Sequence, residues 1–443
     1  MLRAVFRTIF FLVIAGQGHA TNVGLVGIFN EALDKDPSFQ VAKNKLDASG
    51  FLQAQAKAGL LPSIQLEAFH NNVNQKIISS TNELYRNGSA NYPTKSIALT
   101  VTQPLFNRSL WLGYSQAKTR VKQAVISFGV AEQDLILRSA NAYLNALAAH
   151  DVLAFTKAEH SAIKEQLELV RVKHDSGLVV EAELHDAVAR FSLSKADLIS
   201  AVNGLDDSLR GLQELTGSVV KHVRPMRENF ELKSPSPEGV GYWIQDALKQ
   251  NLMMKNRRLS VELAEQEVQR QRAGHLPVLG LVVSSGREDT GDSLFGGGSD
   301  IETNKLMFKL SVPLFSGGGT VARVGEAVTR VYSAKDELER EHRQVERKTR
   351  GAYRAVVGGI ARVDALQSAV IAQESARHFR VQGQYAGTET TLAVLDAERD
   401  LYSAKRDLAR ARYEFVLSRL MLKQAVGTLN LDDIIEIDRL LIE

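Results

Sequence analysis

Cysteine is absent from this 443-residue sequence, and an excess of charge of either sign is absent as well. Without cysteine the chain can form no disulfide, no cysteine-ligated metal site and no acylated N-terminal cysteine. Lysine and arginine together number 54, against 51 aspartates and glutamates. This balance gives no reason to expect nucleic acid as a partner. The 44% hydrophobic content is typical of a folded protein.

Long hydrophobic runs are scarce, and the clearest one lies at the N-terminus. Arg3 and Arg7 precede an apolar run over 9–15. Gly18 and Ala20 follow it and supply the small residues that a signal peptidase requires. This pattern predicts a signal peptide at 1–20, cleaved after Ala20. An uncleaved anchor is the alternative, but the run is short for a helix that spans a bilayer. We therefore expect an exported protein.

Proline is also scarce, and its distribution is uneven. None of the nine prolines lies between Pro104 and Pro225 or after Pro313. The residue that breaks helices is thus missing from two long stretches. Each stretch is interrupted once by a glycine-containing segment, HDSGLVVE at 174–181 and YAGTETT at 385–391. We predict two antiparallel helical hairpins, at about 109–216 and about 318–426.

The two stretches belong to an internal duplication. KAGLLPSIQLEAF at 57–69 reappears as RAGHLPVLGLVVS at 272–284, and QPLF at 103–106 reappears as VPLF at 312–315. Further landmarks follow in the same order, all at offsets between 209 and 215. Such self-similarity at one offset indicates two copies of one structural unit.

The duplication predicts the organisation of the chain. The domains that we predict are a first repeat at 21–217, a linker at 218–238, a second repeat at 239–427 and a C-terminal tail at 428–443. In each repeat a helix leads into a β-hairpin, at about 62–106 and about 277–315, and a helical hairpin follows.

Apolar residues in the helical hairpins alternate at spacings of three and four. The series that contain Ala187 and Ala397 carry Ala or Ser at every seventh position. This seam predicts knobs-into-holes packing with closely approaching backbones. An ordinary coiled-coil protein would show the same seam.

The segments between the prolines alternate with period two, which predicts strands with one apolar face. Ile97, Leu99 and Val101 alternate with Ala, Thr and Ser, and Leu306, Phe308 and Leu310 alternate with lysine and methionine. Four strands in one chain cannot close, and within a membrane only a closed barrel satisfies every backbone group. Three chains would supply about twelve strands, a number found in outer-membrane barrels. A soluble sheet packed on the helices is the alternative.

Taken together, the sequence resembles the TolC family of outer-membrane efflux and secretion channels. The resemblance covers about 22–435 and rests on AGLLPSIQLEA, TQPLFN, GLVVEAELHDA, AGHLPVLGL, SVPLFSGG, GTETTLAVLDAERDLYSAKRDLARARYEFV and AVGTLNLDDI. It implies an α+β membrane protein: a homotrimer whose twelve-stranded transmembrane β-barrel continues into a twelve-helix periplasmic α-barrel. The linker and part of the tail would form its equatorial belt.

The resemblance also implies partners. These are outer-membrane lipid, a periplasmic adaptor (membrane fusion protein) and an inner-membrane transporter, either an ABC exporter or a proton-driven pump. The cargo would be an unfolded protein in type I secretion, or small molecules in efflux. A periplasmic adaptor-like coiled-coil protein and a dedicated multidrug efflux channel remain as alternatives.

Catalysis is not expected. The sequence has no HExxH, GxSxG or Walker motif, and its glycine-rich segments lack the Lys-Ser/Thr that holds phosphate and magnesium. His174 and His185 lie within one of the helical breaks or just after it, where lone histidines are more often surface residues than ligands. We predict no enzyme, no cofactor and no metal site.

The family pattern makes the two helical breaks the periplasmic tips. The residues that it implies for contact with the adaptor are Gly177, Leu178, Val179, Gly387 and Thr388.

The family pattern also implies a periplasmic gate. Asp396 stands where the family places an acidic ring at the narrow entrance, and Gln384, followed by Tyr385, occupies the place of a gating tyrosine. Glu389 replaces an arginine that ties the closed tip, and Glu183 takes the place of that arginine's acidic partner. Two carboxylates that face each other would repel, so we expect a tip that closes less firmly or is held by other bonds.

Overall fold

The computed structural model describes residues 24–79, 81, 88–227, 230–292 and 296–442. The predicted signal peptide lies outside these residues. Within them the helices are α1 (Leu25–Lys35), α2 (Pro37–Ala58), α3 (Arg108–Asp175), α4 (Glu181–Thr216), α5 (Val240–Gln250), α6 (Leu252–Arg272), α7 (Gly319–Tyr385), α8 (Thr391–Val426) and α9 (Leu431–Asp438). The strands are β1 (Ser63–Ile77), β2 (Gly88–Phe106), β3 (Val278–Thr290) and β4 (Ser299–Ser311).

Two short interruptions divide the helices that precede each β-hairpin. The Asp36 carboxylate accepts a 2.9 Å hydrogen bond from the Phe39 backbone N–H, and Pro37 occupies the first turn of α2. The Asn251 side chain accepts a 3.1 Å bond from the Met254 N–H at the start of α6. Both residues are therefore N-caps. They lie 215 positions apart, the offset of the repeated junctions.

The long helices pack along the seam that the sequence predicts. In α4 the small residues Ala187, Ser194 and Ala201 are buried, and in α8 the equivalent Ala397 and Ala411 are buried. Small side chains at every second turn allow neighbouring helices to approach closely. Both helices end at a glycine in the left-handed region, with φ of 65° at Gly217 and 92° at Gly427.

The four strands form one antiparallel sheet in the order β1-β2-β3-β4. Strands β2 and β3, which come from different copies of the repeat, pair along most of their length. Strand β4 ends at Ser311, earlier than the predicted limit of 315, and Pro313, which cannot donate to a strand ladder, follows. Among the described residues, β1 and β4 each have one free edge.

The chain forms two compact units that do not coincide with the two predicted copies. One contains the described residues up to Gln40, Ala131–Ala247 and Arg347 to the C-terminal end, and the other contains Val41–Val130 and Leu248–Glu346. Each unit draws on both copies: α4 and α8 pack against each other in the first unit, and β2 pairs with β3 in the second. Within the first unit the linker joins the tail: Ile442 donates from its backbone N–H to Pro225 over 2.8 Å, and Arg227 donates to Leu440 over 2.9 Å.

One of the described helices, α7, contains an 18-residue window that is long and apolar enough to cross a membrane by composition. Packed helices in water-soluble regions pass the same test. Helix α7 also makes a series of polar contacts with α8, described below, so its composition alone does not indicate a membrane span.

Candidate functional site: the paired helix turns

The two breaks fold into turns of the same type. In the first tip turn (176–180), Gly177 donates to the His174 carbonyl and Leu178 donates to the Lys173 carbonyl, both over 2.8 Å. In the second tip turn (386–390), Gly387 donates to Gln384 over 3.2 Å and Thr388 donates to Gly383 over 2.9 Å. Each pair of bonds is a Schellman motif, which satisfies the last carbonyls of the preceding helix.

The glycines at these turns are required by the backbone. Gly177 has a φ of 74° and Gly387 a φ of 78°, a conformation that other residues adopt at a cost. A side chain added at either position would meet no atom within 4 Å. The constraint is therefore conformational, and the surface around both glycines is open.

The residues predicted to contact an adaptor differ in exposure. Gly177, Gly387 and Thr388 are exposed, and Leu178 leaves 74% of its surface exposed. Val179 is half-buried against an apolar cluster formed by Ile163, Leu167, Val170, Ala187 and Leu395. The exposed apolar neighbour is instead Val180, which is 70% exposed. The turn thus presents Leu178 and Val180 outward and uses Val179 as an anchor.

The predicted gate residues Gln384 and Tyr385, at the end of α7, differ in exposure. Gln384 is buried, and its amide donates a 3.2 Å hydrogen bond to the Thr391 hydroxyl, which joins the end of α7 to the start of α8. Tyr385 is 76% exposed. Gln384 therefore closes the hairpin on itself, and Tyr385 is available to a partner.

Glu183 and Glu389, the two carboxylates expected to repel each other, take no part in the polar contacts of the described residues. Among the described residues, neither the Glu183 nor the Glu389 side chain has an ion-pair or hydrogen-bond partner. Glu389 is exposed and its Cγ lies over α7, 2.6 Å from the position that a Cβ on Gly383 would occupy. Gly383 thus makes room for the Glu389 side chain.

Asp396 is paired within its own chain. Its Oδ1 accepts a 2.7 Å hydrogen bond from Nη2 of Arg190 on α4, and the Arg399 guanidinium lies 3.6 Å away. Both the Arg190 and the Asp396 side chains are about one-third exposed. The residue predicted for an acidic ring therefore has a cation of the neighbouring hairpin beside it.

Further polar contacts hold the hairpins together away from the turns. Between α7 and α8 there are three close pairs in antiparallel register: Arg377–Glu398 at 2.6 Å, Glu374–Lys405 at 2.8 Å and Gln367–Arg412 at 2.8 Å. Between α3 and α8, Glu159 pairs with Arg406 at 2.6 Å, and Asp151 accepts a 2.6 Å bond from the Tyr413 hydroxyl. Helix α8 therefore contacts both hairpins.

The Asp151 carboxylate also acts on Tyr413. Burial of the phenol, the Asp151 charge and the Tyr413–Asp151 hydrogen bond together raise the Tyr413 pKa well above its usual range. The hydroxyl consequently remains a donor at all physiological pH values.

Sequence reasoning identified the turns and Asp396 but not Arg190, Glu159 or Arg406. Arg190 lies on the polar side of the α4 seam, where a single sequence gives no sign of its partner. Composition is the one signal that could have drawn attention to Arg190, since it is the first arginine or lysine of α4.

Comparison with known proteins decides the family. The model of the outer membrane efflux protein family matches residues 28–218 and 243–428, one segment in each predicted copy. The chain belongs to this family. The resemblance drawn from the sequence is thereby confirmed.

Similar proteins come from both secretion and efflux. The chain is 30% identical to outer membrane protein TolC of Escherichia coli over 94% of this chain and 85% of that protein. It is 28% identical to the proteases secretion protein PrtF of Dickeya chrysanthemi, covering 98% of this chain and 94% of PrtF. Members of the family are outer-membrane channels for secretion or efflux, and this chain is one of them.

Solved structures share the fold. The CmeC outer membrane channel of Campylobacter jejuni superposes with a TM-score of 0.81 at 17% identity, covering 94% of this chain and 90% of CmeC. VceC of Vibrio cholerae superposes with a TM-score of 0.75 at 20% identity, covering 91% of this chain and 96% of VceC. The efflux-channel fold of long helices and a few strands is therefore shared.

Proposed function

We propose that three copies of this chain form one export channel of the outer membrane, with the sheet in the membrane and the tip turns in the periplasm. The observation that carries this proposal is the exposed, open sheet. Ile64, Val101, Val283 and Leu306 form one row across the four strands, on one face. Ile64 is 68% exposed and Leu306 is 67% exposed.

In the adjacent row of residues, whose side chains lie on the opposite face of the sheet, every residue is polar. The next row consists of Gln65, Thr100, Ser284 and Lys305. An apolar face toward lipid and a polar face toward a lumen are the pattern of a transmembrane barrel. The free edges of β1 and β4 supply the pairing surfaces through which copies would join.

The tip turns are the proposed docking points for a periplasmic adaptor, which would link the channel to an inner-membrane transporter. The first tip turn presents Leu178 and Val180 to solvent, and Tyr385 is exposed at the end of α7, just before the second tip turn. Exposed apolar side chains at the end of a rigid hairpin are suited to contact with a partner. The signal peptide predicted at 1–20 would direct the chain across the inner membrane.

The cargo that we propose is protein in type I secretion, with small molecules as the second candidate. PrtF is named for protease secretion, and the alkaline protease secretion protein AprF of Pseudomonas aeruginosa is 28% identical over 93% of this chain. The efflux protein BepC of Brucella suis is 22% identical over 68% of this chain. The adaptor-like alternative has no support among these relatives.

Channel formation is tested directly in planar bilayers. The processed protein, purified from outer-membrane fractions, is expected to insert and to give discrete conductance steps. A protein that fractionates with the periplasm and gives no conductance would contradict the proposal.

A strain that lacks this protein distinguishes the two candidate cargoes. Loss of a secreted protein from the medium supports secretion, and drug sensitivity alone supports efflux.

A further inference from the structure

A groove in the first compact unit follows the line where α7 packs on α8, and α3 and the linker flank it. Its volume is about 510 Å³, which is in the range of pockets that hold small organic molecules. Val370 and Leu408, both buried between α7 and α8, line it together with Ile371, Phe155 and Phe230. Ile371 is 57% exposed, so part of this apolar lining faces water.

A polar pair lies at each end of the apolar stretch. At one end Glu374 of α7 pairs with Lys405 of α8 at 2.8 Å. At the other end Gln367 of α7 accepts a 2.8 Å hydrogen bond from Arg412 of α8. The two pairs are two helical turns apart on each helix, which corresponds to about 10 Å along the helix axis. The groove therefore has an apolar middle and two polar ends.

Arg412 is a cation of this groove that has no counter-charge among the described residues. It is half-buried, and its partner Gln367 is a neutral amide. The Asp151 carboxylate also lines the groove, but it accepts its 2.6 Å hydrogen bond from the Tyr413 hydroxyl. Arg227 lines the groove as well, and within the described part of the chain it forms no ion pair. This end of the groove is therefore suited to an anion.

We propose that the groove is a binding site for a small organic molecule that carries a carboxylate on an apolar body. Arg412 binds the carboxylate, because the planar guanidinium matches the geometry of a carboxylate. Val370 and Ile371 contact the apolar body and remove it from water. The Glu374–Lys405 pair is already compensated, so only the Arg412 end selects the charge of the ligand.

Isothermal titration calorimetry of the processed protein in detergent tests this proposal, with 4-phenylbutyrate as the probe. The uncharged 4-phenylbutyramide and the cationic 4-phenylbutylamine have the same apolar body, and titration into detergent alone corrects for partition into micelles. Wild-type protein is expected to bind the carboxylate about ten-fold more tightly than the amide, and the amine most weakly. Equal affinities for the three probes, or no measurable binding of 4-phenylbutyrate, would overturn the proposal.

Arg412→Gln is expected to weaken binding of 4-phenylbutyrate about ten-fold, because a hydrogen bond between charged groups is lost. Binding of the amide should change little. The matched control is Arg410→Gln: Arg410 lies two residues earlier on α8, pairs with Glu414 at 3.0 Å and does not line the groove. This control is expected to bind all three probes as wild type does. If the two variants bind 4-phenylbutyrate equally well, Arg412 is not the carboxylate site and the proposal is wrong.

Ile371→Glu tests the same groove without removing Arg412. The new carboxylate is expected to weaken binding of 4-phenylbutyrate and to strengthen binding of 4-phenylbutylamine, because like charges repel and opposite charges attract. An unchanged order of affinities would contradict the position of the site. The probe series on wild-type protein decides the question even if a variant does not fold.

The groove lies within one unit of one chain, so its test is separate from that of the channel. Conductance is measured on the same preparation of wild-type protein. A protein that conducts but does not prefer the carboxylate contradicts only the binding site. A protein that binds the carboxylate but does not conduct supports the binding site and contradicts the proposed channel function.

Discussion

The Asp36 side chain both caps a helix and pairs with an arginine. Its carboxylate caps α2 through Phe39, and it also accepts two bonds from Arg138 on α3, at 2.7 and 3.1 Å. Burial by itself raises the Asp36 pKa, but the hydrogen bonds from Arg138 and Phe39 outweigh burial, and the pKa lies below its usual value. The charged form is therefore the one that stabilises the fold.

Asp36→Asn keeps a capping oxygen but removes the charge that Arg138 binds. Because the folded-state pKa is lowered, the stabilisation is present above the ordinary aspartate pKa of about 3.9 and is lost as pH falls through the lower folded value. We expect the variant to be less stable by about 1–3 kcal/mol at pH 7, because it loses hydrogen bonds to a charged group. Thermal unfolding at pH 7 and at pH 3 measures this difference, which should narrow in acid. An equal difference at both pH values would contradict the assignment.

The turn glycines make a second prediction at the scale of the residue. Gly177→Ala forces alanine into the left-handed region, where it costs about 1–2 kcal/mol. Gly204 lies inside α4 with open space around it, so Gly204→Ala should stabilise the helix by about 0.5–1 kcal/mol. Denaturation midpoints of the two variants should therefore move in opposite directions. A shift of the same sign in both would show that the φ of Gly177 is not the constraint.

At the scale of the element, the α7–α8 hairpin depends on polar pairs as well as on its apolar seam. Glu398 is only 6% exposed, and Arg377 is the cation that it pairs with. Removing one partner of a mostly buried pair leaves a charge without compensation. The pair is therefore a stronger contributor than the exposed pairs of the same helices.

Arg377→Gln is expected to destabilise the protein by about 2–3 kcal/mol, and adding Glu398→Gln should recover much of that loss. The control is Arg343→Gln: Arg343 pairs with Glu339 on the exposed surface of α7, and an exposed pair of this kind contributes little to stability. A double-mutant cycle measures the coupling between Arg377 and Glu398. Additive effects in that cycle would argue against the pair.

The sequence predicts the local features of these elements well and the contacts between them poorly. Each predicted feature is a local pattern, defined by residues a few positions apart. Periodicity is therefore enough to find the seam of α4, the helix breaks at Gly177 and Gly387 and the alternation in β4. The Arg190–Asp396 pair joins residues 206 positions apart, and nothing in the local pattern of either helix names its partner. The caps at Asp36 and Asn251 were missed because the helical pattern continues on both sides of them.

At the scale of the whole molecule, the sheet is the feature that a single chain leaves incomplete. Strand β4 exposes Leu306, Phe308 and Leu310 on one face, and Met307 lies on the other. The two faces should therefore respond differently to charge. This difference tests which face meets lipid.

Leu306→Arg places a cation on the proposed lipid face, where it costs about 2–4 kcal/mol near the middle of a bilayer. Met307→Arg places the same side chain on the proposed lumen face of the same strand. We expect Leu306→Arg to reduce heat-resistant assembly in outer-membrane fractions and Met307→Arg to leave it nearly unchanged. Equal loss in both variants would contradict the assignment of the faces.

Because β1 and β4 each leave one edge unpaired among the described residues, we propose that several copies share one closed sheet. Native mass spectrometry of the processed protein, released gently from detergent, measures the number of copies directly. The account predicts a single assembly with three times the mass of the processed chain. A stable species with the mass of one chain, soluble without detergent, would contradict it.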